Sequence, residues 1–285
     1  MTKSIDTLVE DIYALFTNDE EITIEKKHLD VFAEAVVASV ASAISEVRKE
    51  REPSLRLSLV GHKDRKIWYE MRGAKKEPLS APTLIKFLYG HILEELLILF
   101  TKVSGHEIKE EQAELHVNGV KGHKDATVDG VLIDFKSASS FSFKKFKDGN
   151  ILTDDPFGYI AQLSSYSEAD KNPNAGFVVI DKSSGELCYC PIDEMDMINP
   201  VSRIDDIRDF LKNDTPPAKC YSAVADGASG NLKLAFGCVY CDFKFTCWQD
   251  ANAGKGLRTF MYANGPKHLV EVGKTPNVPE VTNAT

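Results

Sequence analysis

The chain has 285 residues, 43% of them apolar and 27% charged, with a formal net charge of −9. This is the balance of a globular chain long enough for one large domain, or for a core with a smaller appendage. No apolar run reaches the length of a membrane span, and the acidic surplus argues against binding nucleic acid through bulk electrostatics, which leaves only local basic patches for that purpose.

The opening, Met1-Thr2-Lys3-Ser4, lacks the basic and apolar regions of a signal peptide, so an intracellular chain with six reduced cysteines is expected. Ile5, Leu8, Ile12 and Leu15 stand at helical spacing and predict a short helix over 4–17. A longer helix is expected over 24–50, with Leu29, Phe32, Val36, Val40, Ile44 and Val47 in one stripe. Both read as packing elements of a helical N-terminal segment, residues 1–52. Lys63, Arg65, Lys66, Lys75 and Lys76 are the first candidates for a local cationic track. Pro82 suits the first turn of the next helix. From Leu84 to Phe100 that helix is apolar on nearly every side, which predicts burial. His91, Glu94 and Glu95 interrupt it, and a buried carboxylate needs a partner or becomes protonated. The alternative is that these acids sit at a wet edge.

Gly122 to Ser137 reads as a hairpin. Asp129-Gly130 between two β-prone runs is a strong signal for a two-residue turn. With that turn, Val128 pairs with Val131, and counting back sets Asp125 opposite Asp134. Lys136 then points to the same face. Like charges directly opposite one another destabilise a strand pair, so this face calls for a cation, and a hard divalent ion held by oxygens is the natural candidate. The same count puts His123 opposite Lys136, as a strand-surface residue that at most touches substrate.

Phe141-Ser142-Phe143-Lys144-Lys145-Phe146-Lys147 interleaves aromatic and basic residues. Such a stretch suits base stacking beside phosphate contacts through Lys144, Lys145 and Lys147; it equally suits an amphipathic segment with a solvated lysine edge. A helix over 157–169 carries Gln162 and Tyr166 one turn apart. Residues 176–181 and 186–192 read as strands joined by Ser183-Ser184-Gly185, with Cys188 and Cys190 as ordinary strand residues. Residues 201–213 read as a helix. Beyond Pro216-Pro217 comes Cys220-x17-Cys238-x2-Cys241-x5-Cys247. Four thiols with one C-x2-C pair in an intracellular chain signal a metal, and closure within one segment favours structural zinc. Reduced cysteines without metal are the alternative. From 264 to 285 the chain is polar and aperiodic, and a disordered tail is expected.

Asp125 followed after about ten residues by Asp134-Phe135-Lys136 resembles the signature of the PD-(D/E)xK nucleases. Within them the chain is most similar to the RecB-type group, which includes phage exonucleases and the iron–sulfur nucleases of CRISPR adaptation. Gln162-Leu163-Ser164-Ser165-Tyr166 resembles that group's Q-x-x-x-Y, and Gly90-His91-Ile92-Leu93-Glu94 its helical G-x-x-x-(H/E). The cysteines followed by Trp248 resemble its C-terminal cluster. The resemblance spans roughly residues 58–250. It implies an α/β fold with a restriction-endonuclease-like core, a central mixed sheet flanked by helices over 53–200. A C-terminal helix and four-cysteine knuckle would follow over 201–263.

The resemblance also implies a metal-dependent DNA nuclease, foremost an exonuclease of phage-type recombination or DNA degradation. Mg²⁺, with Mn²⁺ as a substitute, would be held by Glu94, Asp125, Asp134 and the carbonyl of Phe135. Lys136 would orient or deprotonate water or stabilise the transition state, while Gln162 and Tyr166 would position the phosphate or the lysine. A same-class alternative is an iron–sulfur nuclease with a 4Fe-4S cluster. That group takes one cysteine from the start of the core, and no cysteine precedes Cys188 here. A different-class alternative is a non-catalytic, zinc-stabilised nucleic-acid-binding module. DNA is the expected partner, with a single-strand-binding or recombination protein and a second copy of the chain as further candidates. No membrane is involved, and the expected location is the cytoplasm of a bacterium or a phage-infected host.

Overall fold

The computed structural model of the chain describes residues 3–19, 21–45 and 52–281. In chain order, helices α1 (Leu8–Thr17), α2 (Lys26–Ser45), α3 (Asp64–Met71) and α4 (Ala81–Val103) precede the strands. The chain divides into two units. One comprises residues 1–51, 55–61 and 79–206; the other comprises 52–54, 62–78 and 207–285. The expected boundaries at 52 and 200 are therefore crossed. The segment with α3, read as the opening of the nuclease core, groups with the cysteine-bearing part.

The first unit is built on a five-stranded mixed sheet. Its strands are β1 (Ile108–Lys109), β4 (Ala126–Val128), β5 (Val131–Ala138), β6 (Ala175–Asp181) and β7 (Leu187–Ile192), in that spatial order. Only β5 and β6 are parallel; the other neighbours are antiparallel. A separate hairpin joins β2 (Glu114–Val117) to β3 (Val120–His123). The β5–β6 crossover carries helices α5 (Ser140–Lys147) and α6 (Tyr159–Asp170), as a parallel pair requires a long connection. A central mixed sheet flanked by helices was the expected architecture, and it is what the chain adopts.

The apolar pattern decides which surfaces meet. Ile5, Leu8 and Ile12 close on Leu97 and Ile98 of α4 and on Ala126, Val128, Ile133, Phe135, Val178 and Ile180 of the sheet. Only the C-terminal half of α4 joins this core. Ile85, Phe87 and Tyr89 in its first turns are 48%, 54% and 54% exposed, so the expected burial of the whole helix is corrected: the sheet covers only part of its length. Ser80 caps the helix by accepting the Thr83 N–H at 3.4 Å, and Pro82 lies in the first turn. In α2, Phe32, Val36 and Val40 are half-buried towards α4, whereas Leu29 and Ile44 of the expected stripe are exposed. Val47 lies outside the described residues.

Two further expectations change in this unit. His123 ends β3 and pairs with Glu114, so it does not stand opposite Lys136. The extra hairpin interrupts the count just before Asp125. In α5, Phe143 and Phe146 are buried, which matches the amphipathic alternative and removes them from any stacking surface.

The chain passes through helix α7 (Pro200–Leu211) before completing the second unit. That unit holds α3 and an antiparallel sheet of β8 (Val224–Ala225), β9 (Leu232–Lys233), β10 (Arg258–Tyr262), β11 (Gly265–Glu271) and β12 (Glu280–Val281). The expected tail thus supplies two strands. Leu269 is fully buried, and Arg258 grips Glu280 through two hydrogen bonds at 2.8 and 2.7 Å. Short strands bearing proline and polar residues leave little periodicity to read. Leu234, Cys238, Trp248, Ala251 and Leu257 form the small core of this unit.

Candidate active site

Turn chemistry sets up the site. Asp129 (φ 49°) and Gly130 (φ 85°) both adopt left-handed conformations, as the favoured two-residue hairpin turn demands. Val128 faces Val131 and Ala126 faces Ile133, so the next pair outward is Asp125 and Asp134. The Phe135 N–H donates to Asp125 Oδ2 at 2.8 Å, which fixes that carboxylate across the strands. Lys136 Nζ forms an ion pair with Asp134 Oδ2 and lies 3.5 Å from the Phe135 carbonyl oxygen. Glu94 enters from α4, with His91 Nδ1 3.8 Å from its Oε2. Charge repulsion from Glu94 reaches both aspartates, so Glu94 stands within electrostatic range of Asp125 and Asp134.

Their protonation follows from this crowding. Burial, then the charges of Asp134 and Glu94, hold the Asp125 carboxyl well above the ordinary carboxylate range, against the pull of Lys136 and the Phe135 N–H. Burial likewise raises Asp134, which is 1% exposed. For Lys136 burial works downward, but the charges of Asp134 and Asp125 outweigh it and its ammonium is held above the usual lysine range. Lys136 is thus a fixed cation among carboxylates.

Gln162 and Tyr166 sit on α6 as expected, with Gln162 Nε2 donating to the Tyr166 hydroxyl at 2.9 Å. Tyr166 is buried and feels the charges of Asp134, Asp125 and Lys136; burial is the main cause of its raised pKa. Sequence reasoning missed Tyr159, whose ring centroid lies 5.5 Å from Lys136 Nζ. Its signal was available: positions 159, 162 and 166 fall on one face of a single helix. It also missed Lys124, fully buried beside Asp125 and held by Asp170 at the C-terminal end of the same helix. Of the lysines expected at substrate, Lys145 pairs with Asp154 at 2.6 Å and Lys147 with Glu186, while Lys144 is exposed and has no ion pair among the described residues.

Among the described residues, no group of three or more His, Cys, Asp or Glu side chains is gathered as a bound ion would require. The donor chemistry nevertheless suits a hard cation. Asp134 Oδ2 is buried, with the Lys136 ammonium as its ion-pair partner. Two buried carboxylates facing each other, with a third acid within electrostatic range, are oxygen donors of the kind that a hard divalent ion would neutralise.

In the second unit the four cysteines lie within electrostatic reach of one another around Cys238. Burial pushes the Cys238 thiol up to about 11 and raises Cys220 and Cys241. Arg65 Nε donates to Cys247 Sγ at 3.2 Å, and its Nη1 donates to the Pro217 carbonyl at 2.6 Å. An arginine of α3 therefore hydrogen-bonds one of these thiols. Cys188 and Cys190 are buried strand residues, as expected.

No protein-family model and no curated protein matches this sequence. Several solved structures share parts of the fold. One is an alkaline exonuclease from Laribacter hongkongensis, 16% identical, with a TM-score of 0.41 over 57% of this chain and 89% of that one. A phage-related exonuclease from Haemophilus somnus 129PT is 15% identical, with a TM-score of 0.37 over 57% and 92% of the two chains. The protein SSO0001 is 17% identical, with a TM-score of 0.40 over 75% and 94%. These likenesses are loose, and the functional reading stands on the residues of the site.

Proposed function

We propose that the first unit is a divalent-metal-dependent deoxyribonuclease of the RecB-type PD-(D/E)xK class, acting as an exonuclease. The observation that carries this reading is the pair of buried carboxylates, Asp125 and Asp134, facing each other across one hairpin, with Lys136 ion-paired to Asp134 and Glu94 within electrostatic range of both. Two buried, mutually repelling carboxylates are costly in a fold that uses them for nothing.

Asp125, Asp134, Glu94 and the Phe135 carbonyl would hold Mg²⁺, which when bound polarises the scissile phosphate and acidifies water. Lys136, kept as a cation by the aspartates, donates to the attacking water or to the phosphoryl oxygen that gains charge, and does not serve as the resting base. Tyr166, held by the Gln162 amide, offers its hydroxyl toward the same phosphate. Burial of both aspartates keeps bulk water from competing with that arrangement.

In the second unit, Cys220, Cys238, Cys241 and Cys247 are proposed to bind structural zinc. The mutual electrostatic reach of the four thiols around Cys238 supports this reading. Time-resolved products from 5′- and 3′-labelled linear DNA, beside a closed circle, test the nuclease reading. Mg²⁺-dependent release of short products from linear DNA, with the circle spared, is the expected result; no Mg²⁺-dependent cleavage of either would overturn it.

A further inference from the structure

We propose that Phe157 and Tyr159 form a stacking site for an unpaired nucleobase of the DNA strand whose phosphate lies at Lys136. The inference rests on the nuclease reading and adds its substrate class, an unpaired strand or a frayed end. Tyr159 stands with its ring beside Lys136 Nζ. The Phe157 ring lies 5.6 Å from that of Tyr159 at an interplanar angle of 35°, and 40% of Phe157 is exposed. Behind them, Phe146 lies 5.9 Å and the fully buried Phe177 6.4 Å from Tyr159. A continuous aromatic row thus runs from the core to solvent, passing Lys136 at Tyr159 and ending at the exposed Phe157.

The row is held rigidly. Asp155 accepts the Gly158 N–H at 2.8 Å through Oδ1 and the Ile160 N–H at 2.9 Å through Oδ2, which locks the turn that carries Phe157. Gly158 has φ 78°, and a Cβ there would lie 2.2 Å from the Gly61 carbonyl oxygen. That backbone contact leaves the turn no room to shift. A large apolar side chain kept exposed on so fixed a turn has little backbone freedom left for binding to remove.

Charge chooses the ligand. Three carboxylates and one lysine make the site net negative, and two of the three lysines on α5 are engaged by Asp154 and Glu186. Beyond the metal position and Lys136, little unpaired positive charge is left on α5 to hold further phosphates, whereas a nucleobase is neutral and every base presents a π-face. A paired base has both faces covered by its neighbours in the duplex, so the platform selects strands already unpaired.

The test uses the full chain, a fluorescent single-stranded oligonucleotide, and a series in which one abasic residue is walked in from either end. Kd is read by anisotropy in Ca²⁺ and KM and kcat in Mg²⁺. Phe157→Ala should raise Kd and KM roughly tenfold, the scale of one lost stacking contact, with kcat within about twofold, and Phe157→Trp should retain wild-type values. At one abasic position the wild-type protein should lose about the same factor, while Phe157→Ala should lose nothing further. Unchanged Kd in Phe157→Ala would overturn the stacking site, as would abasic and Phe157→Ala losses that multiply. A wild-type protein that binds with the expected Phe157 dependence yet cuts nothing in Mg²⁺ would overturn the nuclease reading alone.

Discussion

Lys124→Met isolates the buried ion pair that ties the chain beside Asp125 to α6. The Lys124 side chain is fully buried, and its Nζ donates to both Asp170 carboxylate oxygens at 2.7 Å and to Thr127 Oγ1 at 3.0 Å. Glu110, at 2.5 Å, is 60% exposed and adds little. Asp170 is only 17% exposed, so removing the ammonium strands a carboxylate that water barely reaches. Breaking a buried pair from one side costs about 3–5 kcal/mol. For a unit of this size that lowers Tm by roughly 6–20 °C, at about 2–4 °C per kcal/mol. Replacing both partners, Lys124→Met with Asp170→Leu, should recover most of the loss, because apolar substitutes for a buried pair are often near neutral. Urea titration and calorimetry on the wild type, the single variant and the double variant measure it. A single variant within about 1 kcal/mol of wild type would refute the reasoning, as would a double variant less stable than the single.

Asp125→Asn should raise Tm in chelator at pH 7, because it removes one of two facing buried carboxylates while keeping an oxygen for the Phe135 N–H. A folded-state carboxyl pKa raised above 3.8 lowers stability as pH rises beyond that value, so the gain should shrink towards pH 4; melting curves at both pH values check the sign. His268 is buried, with Nδ1 2.9 Å from Thr259 Oγ1, and burial lowers its pKa from 6.5 to about 4. The second unit should therefore lose up to about 3 kcal/mol as pH falls from 6.5 to 4, and His268→Gln should flatten that dependence in acid-unfolding curves. Cys241→Ser should lower solubility or Tm and abolish zinc in elemental analysis, while the soluble fraction keeps Mg²⁺-dependent cleavage. A brown wild-type preparation containing iron and sulfide would point instead to the iron–sulfur alternative.

The parts of this fold governed by local chemistry could be read from the chain. Asp129-Gly130 determines its own turn, and from it the facing of Asp125 and Asp134 followed by counting. The Gln162–Tyr166 pair needed only helical spacing. What depended on distant partners could not be counted out. His123 was placed by extending a ladder that a second hairpin interrupts. The exposure of Phe87 and Tyr89 depends on where the sheet ends, which no property of α4 encodes. Lys124 reads as a surface residue until Asp170, far along the chain, closes on it. Strands β11 and β12 are too short and too polar to show a period, and they become strands through pairing with β10.

The most direct test of the central claim compares wild type with Lys136→Ala in single-turnover cleavage of end-labelled linear DNA, with and without Mg²⁺. Matched Tm values confirm that both are folded. Lys136 is a cation ion-paired to Asp134 among the acids proposed to be catalytic, so its loss should slow Mg²⁺-dependent cleavage by about 10³-fold or more while leaving DNA binding within a few-fold. Cleavage by Lys136→Ala at a near wild-type rate would contradict the account and place the chemistry elsewhere.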